Sequence, residues 1–409
     1  VLSVLCNCMI VHGYAPPVLL ASVMISIPKN CKASLCDSAN YRSIALSSSI
    51  CKLIDVIILS KFTRQLHTSE MQFGFKAKHS TVLCTALLKE IAQHYINRNS
   101  PVYSVFLDAT KAFDRVNYGK LFRLLIERNV PSIIIRMLLR MYVNQTASVH
   151  WNGSRSDNFS LHNGVKQGGN LSPVLFTVYF DTLLVLLKES KIGCRINNSY
   201  AGALAYADDV TLLCPSLYGL NRMLEICDKF AQTFDVTFNP KKSVAMCMGE
   251  RQSVEGFVYM NGQKIVWKDE VKHLGSIVTN ACVDDSDCKY KSSCFIGSVN
   301  KLLASFGNMR TRVKNRLFQS YCASFYGSQM WRLSCKYLSR LYVYWNTAVK
   351  KLHKLPFRTH RWTLGPIMNV PHVQHQLEFR TLSFIHSYMS SQNPLVKATF
   401  AAALRDCKS

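Results

Sequence analysis

Acidic side chains are scarce in this sequence. Its 409 residues include 24 Asp and Glu against 49 Lys and Arg, which gives a formal net charge of +25 at pH 7. A positive excess of this size favours a polyanionic partner, and nucleic acid is the polyanion that basic proteins most often bind. A basic domain without such a partner is the alternative, and the size of the excess disfavours it.

The sequence also has no C-x-x-C pair, the spacing that many zinc and redox sites use. Cys282, Cys288 and Cys294 are evenly spaced, but no histidine lies near enough in the sequence to complete a zinc site with them. The 16 cysteines are scattered through apolar segments. We therefore expect reduced thiols of an intracellular protein, most of them filling the core.

No apolar run is long enough to cross a bilayer. The first run stops at His12 and Gly13 and the second at Pro28. Neither flank resembles a signal peptide and no targeting signal is recognisable, so we expect no membrane partner and a location in the nucleus or the cytoplasm. Internal repeats and low-complexity tracts are missing as well. The chain begins at Val1 inside an apolar run, from which we expect a fragment of a longer protein.

Apolar residues, by contrast, are plentiful. Hydrophobic residues make up 48% of the chain and charged residues 18%, a balance that supports large cores and excludes wholesale disorder. The length suits two or three domains.

Residues 203–214, Ala-Leu-Ala-Tyr-Ala-Asp-Asp-Val-Thr-Leu-Leu-Cys, carry the clearest sign of chemistry. Apolar residues run up to Asp208 and Asp209 and resume directly after them, which predicts two short buried strands with both carboxylates at the tip of their turn. Two adjacent like charges in an apolar setting are most easily neutralised by a divalent cation. From this hairpin alone, a metal site and an ordinary solvated Asp turn fit equally well.

Another acid follows a different buried strand. Residues 102–107 are apolar and predict a strand that ends just before Asp108. Because functional groups are often displayed where strands end, Asp108 is a candidate partner for Asp208 and Asp209.

Two loops offer groups that hold phosphates or bases. Lys29 and Lys32 precede a predicted strand with Arg42, and the three cations suit phosphate binding. The loop at 164–173 is glycine-rich, so backbone can approach a substrate closely, and Gln167 offers a donor and an acceptor. Taken alone, the first set fits a solvated loop better, and the second fits a flexible loop before a helix better.

The predicted elements between residues 102 and 285 alternate in a recognisable order. The first strand is followed by helices at 119–128 and 131–143, a hairpin at Asn152-Gly153 and a helix to about residue 189. The acidic hairpin, another helix, a strand at 235–238 and a hairpin at Asn261-Gly262 follow. This is the β-α-β-β-α-β rhythm of a ferredoxin-like sheet with insertions, and it predicts an α+β fold.

From residue 286 onward strand signals fade and helices dominate. This part has 19 Lys and Arg against 3 acidic residues, and Trp331, Tyr342, Tyr344, Trp345 and Trp362 interleave with the positive charge. Cations and aromatic rings suit a helical module that follows a nucleic-acid duplex along its backbone. Because such rings are more often core residues, only the charge supports this interpretation.

Three segments occur in a fixed order: Phe-Leu-Asp-Ala-Thr-Lys-Ala-Phe-Asp at 106–114, Gly-Val-Lys-Gln-Gly-Gly-Asn-Leu-Ser-Pro at 164–173 and Tyr-Ala-Asp-Asp at 206–209. In this order they resemble the reverse transcriptase domain of LINE-type (non-LTR) retrotransposons. Flanking blocks agree in order, at residues 40–44, 72–75, 239–243, 274–275, 321–331 and 355–360. Each block alone is weak, but the ordered set is specific and covers nearly the whole chain.

The resemblance implies a right-hand polymerase. Its fingers would occupy residues 1–100, a ferredoxin-like palm residues 101–285, and an all-helical basic thumb with a C-terminal extension residues 286–409. The implied activity is RNA-directed DNA polymerisation, which copies RNA into DNA from a 3′-hydroxyl primer. The implied partners are an RNA template, a DNA primer or target site, and deoxynucleoside triphosphates, while the oligomeric state stays open.

Two-metal nucleotidyl transfer is the implied chemistry. Asp108 and Asp208 would bridge two Mg²⁺ ions, with Mn²⁺ as a substitute; Asp209 would support them and the Ala109 carbonyl would complete the shell. Magnesium is a hard ion that prefers oxygen ligands, which explains the carboxylates.

Further roles follow from the same resemblance. Arg42, supported by Lys29 or Lys32, would hold the incoming triphosphate, and Phe113 would exclude a ribose 2′-hydroxyl. The remaining implied roles are base-pair shaping by Gln167 and Gly168, substrate contact by Tyr206, protonation of the leaving pyrophosphate by Lys242, and a primer grip by His273, Leu274 and Gly275. The positive thumb would hold an A-form hybrid by its backbone.

Three positions depart from the usual family pattern. Ser43 replaces a proline, Gly169-Asn170 replaces a more apolar pair, and His273 replaces a tyrosine. None removes an implied metal ligand. Two alternatives stay open: a palm polymerase that copies RNA into RNA, and a decayed or co-opted copy that only binds nucleic acid. No endonuclease block and no zinc knuckle is recognisable in this sequence.

Overall fold

The computed structural model describes residues 1–249 and 256–406 of the chain. Helices and strands are mixed along the sequence, and the α+β fold class predicted above is confirmed. The buried apolar side chains form two clusters. The first spans most of the chain from Cys6 to Ala402, and the second lies between Cys288 and Leu377.

The first hundred residues form four helices and two strands. Their bounds are α1 Leu2–His12, α2 Pro17–Leu20, β1 Ala21–Pro28, β2 Tyr41–Leu46, α3 Ser49–Lys61 and α4 Thr81–Ile96. The side chain of Ser80 accepts a hydrogen bond from the backbone N–H of Leu83 and so caps the N-terminus of α4.

The middle of the chain supplies most of the strands. The bounds are β3 Val102–Leu107, α5 Tyr118–Glu127, α6 Ser132–Val143, β4 Thr146–Trp151, β5 Ser154–Arg155, β6 Phe159–Ser160, α7 Ser172–Glu189, β7 Arg195–Ile196, β8 Ser199–Tyr200, β9 Ala203–Tyr206, β10 Asp209–Cys214, α8 Leu217–Phe234 and β11 Val244–Met248.

The last part holds two hairpins and then helices. The bounds are β12 Val258–Met260, β13 Gln263–Trp267, β14 Glu270–His273, β15 Ser276–Thr279, α9 Asp285–Phe306, α10 Thr311–Leu317, α11 Leu338–Leu352, α12 Leu364–Met368, α13 Val373–Met389 and α14 Pro394–Asp406.

The central sheet has the ferredoxin-like arrangement. Its strand order is β12-β13-β11-β3-β10-β9, and β11, β3, β10 and β9 are antiparallel neighbours. These four strands therefore follow the order fourth, first, third, second in the chain, with α7 before the second and α8 after the third. The predicted ferredoxin-like core is confirmed, and β13 extends it by pairing parallel to β11.

One predicted strand of this sheet was wrong. Residues 235–238 contain no regular strand, because Asp235 is left-handed at the C-terminus of α8 and only Phe238 forms an isolated bridge, to Ala109. The fourth strand of the core is instead β11, six residues further on, where five consecutive buried residues pair with β3.

A second sheet combines two strands from before β3 with three strands from after it. Its order is β2-β1-β4-β5, with β6 also paired to β4. Strands β1 and β2 are antiparallel, whereas β1 and β4 are parallel. The β4–β5 hairpin turns at Asn152-Gly153 with both residues at positive φ, as the sequence predicts.

The helices after residue 285 do not all belong to one core. Trp331 and Trp345 are buried in the second cluster, together with parts of α9, α11 and α13. Helix α14 packs instead on the first cluster, where Leu395 and Val396 are fully buried. The proposed boundary at residue 286 stays a prediction, but α14 lies on the core of the preceding part.

The cysteines and the helix lengths of the described residues can also be compared with the sequence. The 15 cysteines of the described residues are free thiols, and most are buried; Cys407 lies outside those residues. Within the described part of the chain, every helix is too short or too polar to span a membrane.

Candidate active site

The acidic hairpin forms as the sequence predicts. Strands β9 and β10 pair with Tyr206 opposite Asp209, and Ala207 and Asp208 make the two-residue turn. Ala207 adopts a left-handed φ of 60° at the start of this turn. Asp209 therefore opens β10, while Asp208 stands at the tip.

Asp108 comes to this tip through the central sheet. Leu107 of β3 pairs with Val210 of β10, so the residues that flank this pair, Asp108 and Asp209, meet at one end of the sheet. The backbone N–H of Asp108 donates to the Ser243 hydroxyl at 3.1 Å, and its carbonyl accepts from the Asn239 N–H at 2.8 Å. The turn before β11 thus fixes the backbone of Asp108.

Two of the three carboxylates, those of Asp208 and Asp209, have raised pKa values. Burial raises the pKa of Asp208, and the nearby Asp108 raises it further. Burial, then Asp208, then Asp108 raise the pKa of Asp209 to about 6. Such mutual repulsion is relieved by a cation, and the donor set of carboxylate oxygens fits a hard divalent ion.

Geometry alone does not complete a metal site. Among residues 1–249 and 256–406, no three His, Cys, Asp or Glu side chains lie at the spacing of a ready ligand cluster. The carboxylates are therefore close enough to repel one another, but they do not surround one common metal-binding position.

The carboxylates line a cavity of about 790 Å³, called the central cavity here. Nine of the residues singled out from the sequence line it: Lys29, Arg42, Asp108, Ala109, Phe113, Gln167, Asp208, Asp209 and Lys242. The other six, Lys32, Gly168, Tyr206, His273, Leu274 and Gly275, do not. Strands β1, β2 and β4 provide the opposite wall, so the cavity lies between the two sheets.

Basic groups face the acids across this cavity. Arg42 lies on β2 and acts on Asp208, lowering the pKa that burial raises. Lys29 follows β1 and Lys242 lies in the turn before β11, and both reach the lining. Negatively charged oxygens placed in the cavity would meet the basic side chains on one side. With a divalent ion bound to the carboxylates, they would meet a positive charge on the other side as well.

Phe113 forms part of the cavity floor. Its ring stacks on Phe176 of α7 with centroids 4.1 Å apart and planes 12° apart. The backbone carbonyl of Phe113 accepts from the N–H of Val165 at 2.8 Å, which ties the floor to the glycine-rich loop. Stacking therefore holds the ring and the hydrogen bond holds its backbone, while the residue stays half-exposed.

The glycine-rich loop contacts β2 through its backbone. The carbonyl of Gln167 accepts from the Ala45 N–H at 2.7 Å. At Gly168, with φ of 124°, a Cβ would lie 2.6 Å from the Ala45 carbonyl oxygen. Gly168 thus permits the close approach that places Gln167 in the cavity lining.

Sequence reasoning missed the residue that holds the hairpin turn. Gln72 is fully buried, and its Oε1 accepts from the backbone N–H groups of Gly74 and Ala207, each at 2.9 Å. Its Nε2 donates to the Ala207 carbonyl at 3.3 Å. Gly74 is needed here, because a Cβ would lie 2.4 Å from the Ala207 nitrogen. The family block at 72–75 was recognised, but no local signal gave this contact.

Sequence reasoning also missed an aromatic wall. Trp151 at the end of β4 lines the central cavity, half-exposed, and meets the ring of Tyr41 edge-on at 5.2 Å. The Asn152-Gly153 turn signal predicted where the chain reverses, and a tryptophan directly before it was the available clue.

The predicted primer-grip residues form the turn between β14 and β15. Leu274 and Gly275 both have positive φ, as a tight hairpin requires. The ring of His273 points inward: it is 8% exposed, its Nε2 lies 3.3 Å from the Thr211 hydroxyl, and its centroid is 5.0 Å from that of Phe106. Burial lowers the pKa of His273 to about 4.

The remaining two residues lie beside the cavity. Tyr206 is half-buried on β9, close to Tyr326 of the C-terminal region. Lys32 is exposed in the loop after β1, where its backbone N–H donates to the Asn30 side chain at 2.9 Å. Their predicted contacts with substrate stay predictions.

Comparison with known proteins agrees with this geometry. Residues 27–278 match the family model of reverse transcriptase (RNA-dependent DNA polymerase). The Pol polyprotein of the type-2 retrotransposable element R2DM of Drosophila melanogaster is 25% identical over 230 residues, covering 56% of this chain and 22% of that protein. The RNA-directed DNA polymerase from the mobile element jockey of the same species is 21% identical, covering 98% of this chain and 45% of that protein.

Telomerases are among the solved structures that superpose on parts of this chain. Apo telomerase of Candida tropicalis, truncated from its C-terminal domain, superposes with a TM-score of 0.45 at 13% identity, over 68% of this chain and 58% of the other. The complex of Candida tropicalis telomerase with a fragment of telomeric RNA gives 0.46 at 11% identity, over 95% and 65%.

The chain spans less than half the length of these two retrotransposon relatives. The family model, however, covers more than half of the chain and includes every residue that lines the central cavity except Ser26. This protein belongs to the reverse transcriptase family, and its domain is of the kind found in non-LTR retrotransposons.

Proposed function

We propose that this chain acts as an RNA-directed DNA polymerase that extends a primer 3′-hydroxyl on an RNA template. The observation that carries the proposal is the meeting of Asp108, Asp208 and Asp209 in one cavity whose opposite wall holds Arg42 and Lys29. Acids for divalent ions on one side and cations for a triphosphate on the other are what nucleotidyl transfer requires.

Asp108 and Asp208 are the residues that would hold Mg²⁺, with Asp209 and the Ala109 carbonyl in support; Mn²⁺ has the same preference for oxygen. The ions would activate the primer hydroxyl and stabilise the leaving pyrophosphate. The protein's own contribution is to hold these carboxylates close together, and the raised pKa values of Asp208 and Asp209 would fall again when a cation binds.

The substrate side is formed by the second sheet and the loops. Arg42 and Lys29, with Lys32 at the rim, would hold the triphosphate of an incoming deoxynucleotide. Phe113, supported by Phe176, would exclude a 2′-hydroxyl by its bulk. Gln167, placed by Gly168, would contact the forming base pair, and Lys242 would protonate the leaving group.

Groups outside the cavity would guide the primer. The turn of Leu274 and Gly275, anchored by the buried His273, would contact the primer backbone, and Tyr206 would border the primer end. Residues 1–100, 101–285 and 286–409 would then act as fingers, palm and thumb. Positive charge in the last part would hold the hybrid by its phosphates.

The test is Mg²⁺-dependent synthesis of DNA by the purified chain on a primed RNA template. We expect labelled primer to be extended with deoxynucleotides and Mg²⁺, and not in excess chelator. Extension with ribonucleotides instead would favour a polymerase that copies RNA into RNA. Template binding without extension would favour a copy that only binds nucleic acid, an alternative consistent with carboxylates that form no ready ligand cluster.

A further inference from the structure

A long stretch of the C-terminal region contains no acidic residue. Residues 288–377 include 15 Lys and Arg and no Asp or Glu. All 15 Lys and Arg residues are described, and of these only Lys291 forms an ion pair, with Asp287 at 3.2 Å. Most of the positive charge of this stretch is thus left without a carboxylate partner.

Three aromatic rings in this stretch are highly exposed. Phe357 is 85% exposed, Tyr321 73% and Trp362 70%, whereas Trp331 and Trp345 are buried in the second core. A cation lies near two of the exposed rings, those of Trp362 and Phe357. The Arg361 guanidinium carbon is 5.1 Å from the centre of the Trp362 ring, and the Lys350 Nζ is 5.4 Å from that of Phe357.

Trp362 also lines a cleft of about 660 Å³, called the Trp362 cleft here. Gly365, Pro366, Val370 and Pro371 make its apolar wall; Arg361, Asn369 and His372 are among the polar groups of its lining. No carboxylate lines the cleft, although Glu378 accepts hydrogen bonds from Gln374 and His375 beside it. Among the described ion pairs none involves Arg361, which leaves its charge available to a ligand.

We propose that the Trp362 cleft binds single-stranded nucleic acid by stacking one unpaired base on Trp362. A ligand that matches the cleft is anionic, because Arg361 lines the cleft and the acid-free stretch around it is rich in cations, and it presents a flat aromatic face. Nucleic acid has both properties, and stacking of its bases on exposed aromatic side chains is a general mode of single-strand binding. In a duplex the base faces are covered by their neighbours, so an unpaired base fits best.

The phosphate next to this base would meet Arg361, and the phosphates that follow would meet the cations on the Phe357 side, Lys350 and Arg358. Trp362 and Phe357 are five residues apart in one exposed segment, so both rings are presented to the same strand. The cleft shares no lining residue with the central cavity. Binding there therefore requires neither the carboxylates nor a divalent ion.

This inference deepens the proposed function, on which it rests only for the choice of nucleic acid as partner. The test measures binding of labelled 20-nucleotide single strands of RNA and of DNA, and of the matching RNA–DNA duplex, in excess chelator without nucleotides. We expect Trp362→Ala to weaken single-strand binding about tenfold while duplex binding changes less than about twofold. Trp362→Phe should restore most of the loss, because the aromatic face returns.

Tyr218→Ala is the matched control, since Tyr218 is 78% exposed on α8, outside the acid-free stretch. Equal losses for single strand and duplex would show backbone attraction only and would overturn the proposal, as would unchanged binding by Trp362→Ala. Comparison of the RNA and DNA single strands identifies which of the two nucleic acids the cleft binds. If the wild-type chain binds single strands in this way but extends no primer, the proposed polymerase activity fails and the cleft assignment stands.

Discussion

The side-chain amide of Gln72 hydrogen-bonds both the N–H and the carbonyl of Ala207, the residue directly before Asp208. The two bonds are 2.9 and 3.3 Å long, and Gln72 is fully buried. Ala207 is left-handed, a conformation that a non-glycine residue adopts at a cost. The turn that presents Asp208 is thus held in its conformation by a residue 135 positions away in the chain.

Gln72→Ala should lower both the stability of the protein and its polymerase activity. The change leaves buried backbone groups of Ala207 and Gly74 without partners, which costs about 1–3 kcal/mol of the free energy of unfolding. Because Asp208 then loses its fixed direction, the Mg²⁺ concentration for half-maximal extension should rise. Denaturant unfolding and a Mg²⁺ titration measure the two effects, with Gln263→Ala, an exposed site on β13, as the control. An unchanged Mg²⁺ requirement would reduce Gln72 to a purely structural role.

Asp208→Ala should abolish extension and leave RNA binding intact. Loss of one metal ligand removes several kcal/mol of transition-state stabilisation, so the rate should fall at least about a hundredfold. In chelator the variant should be no less stable than the wild type, because a buried and repelled charge has been removed. Primer extension, filter binding and thermal unfolding test this, with the exposed Asp157→Ala as the control. Near-normal extension by Asp208→Ala would refute the proposed role.

Phe113→Ala should relax discrimination between sugars. The side chain is bulky where a ribose 2′-hydroxyl would lie, and removing it should improve kcat/KM for a ribonucleotide about tenfold relative to the matching deoxynucleotide. Phe257→Ala, which removes an exposed ring far along the chain, serves as the control. If the ratio of the two kcat/KM values does not move, Phe113 does not select the sugar.

His273→Phe should remove an acid sensitivity of folding. The folded-state pKa of His273 is about 4, below its ordinary value of 6.5, because burial disfavours the charged ring. The unfolded chain therefore binds the proton first, and stability falls as the pH drops from 6.5 to 4, by up to about 3 kcal/mol. Unfolding curves across this range should be flatter for the variant than for the wild type. His162→Phe, at a solvent-exposed histidine, should leave the slope unchanged.

Local sequence patterns were sufficient to predict the acidic residues that the strand ends present in the site. The apolar runs before Asp108 and around Asp208 and Asp209 gave both strands, and the sheet then brought the acids together. The pairing of β3 with β10 follows from the ferredoxin-like order, which the alternation of elements had suggested. The Asn-Gly hairpin turns could also be predicted from local sequence. Such turns require a positive φ, which only a few residue types adopt readily.

What could not be predicted depends on contacts between distant segments. Residues 235–238 alternate polar and apolar side chains as a short strand would, and only the left-handed Asp235 and the pairing of β11 with β3 show that the strand comes later. Gln72 is an ordinary polar residue until the fold buries it beside Ala207. Trp362 and Trp345 also look alike in a basic helical tail, and their opposite exposures are set by packing alone.

The position of α14 has a mechanical consequence for the second core. Asp406 at its end pairs with Arg98 at 2.9 Å and with His94 at 3.0 Å, and the Asn393 side chain before it donates to the Glu70 carbonyl at 2.8 Å. The helices between α9 and α13 are therefore held to the rest of the protein at both ends. Hydrogen bonds between Tyr326 and Thr81 and from Arg332 to Gln93 add contacts with α4 between those ends. Any outward movement of these helices would have to break contacts with α4 as well as with their flanking segments.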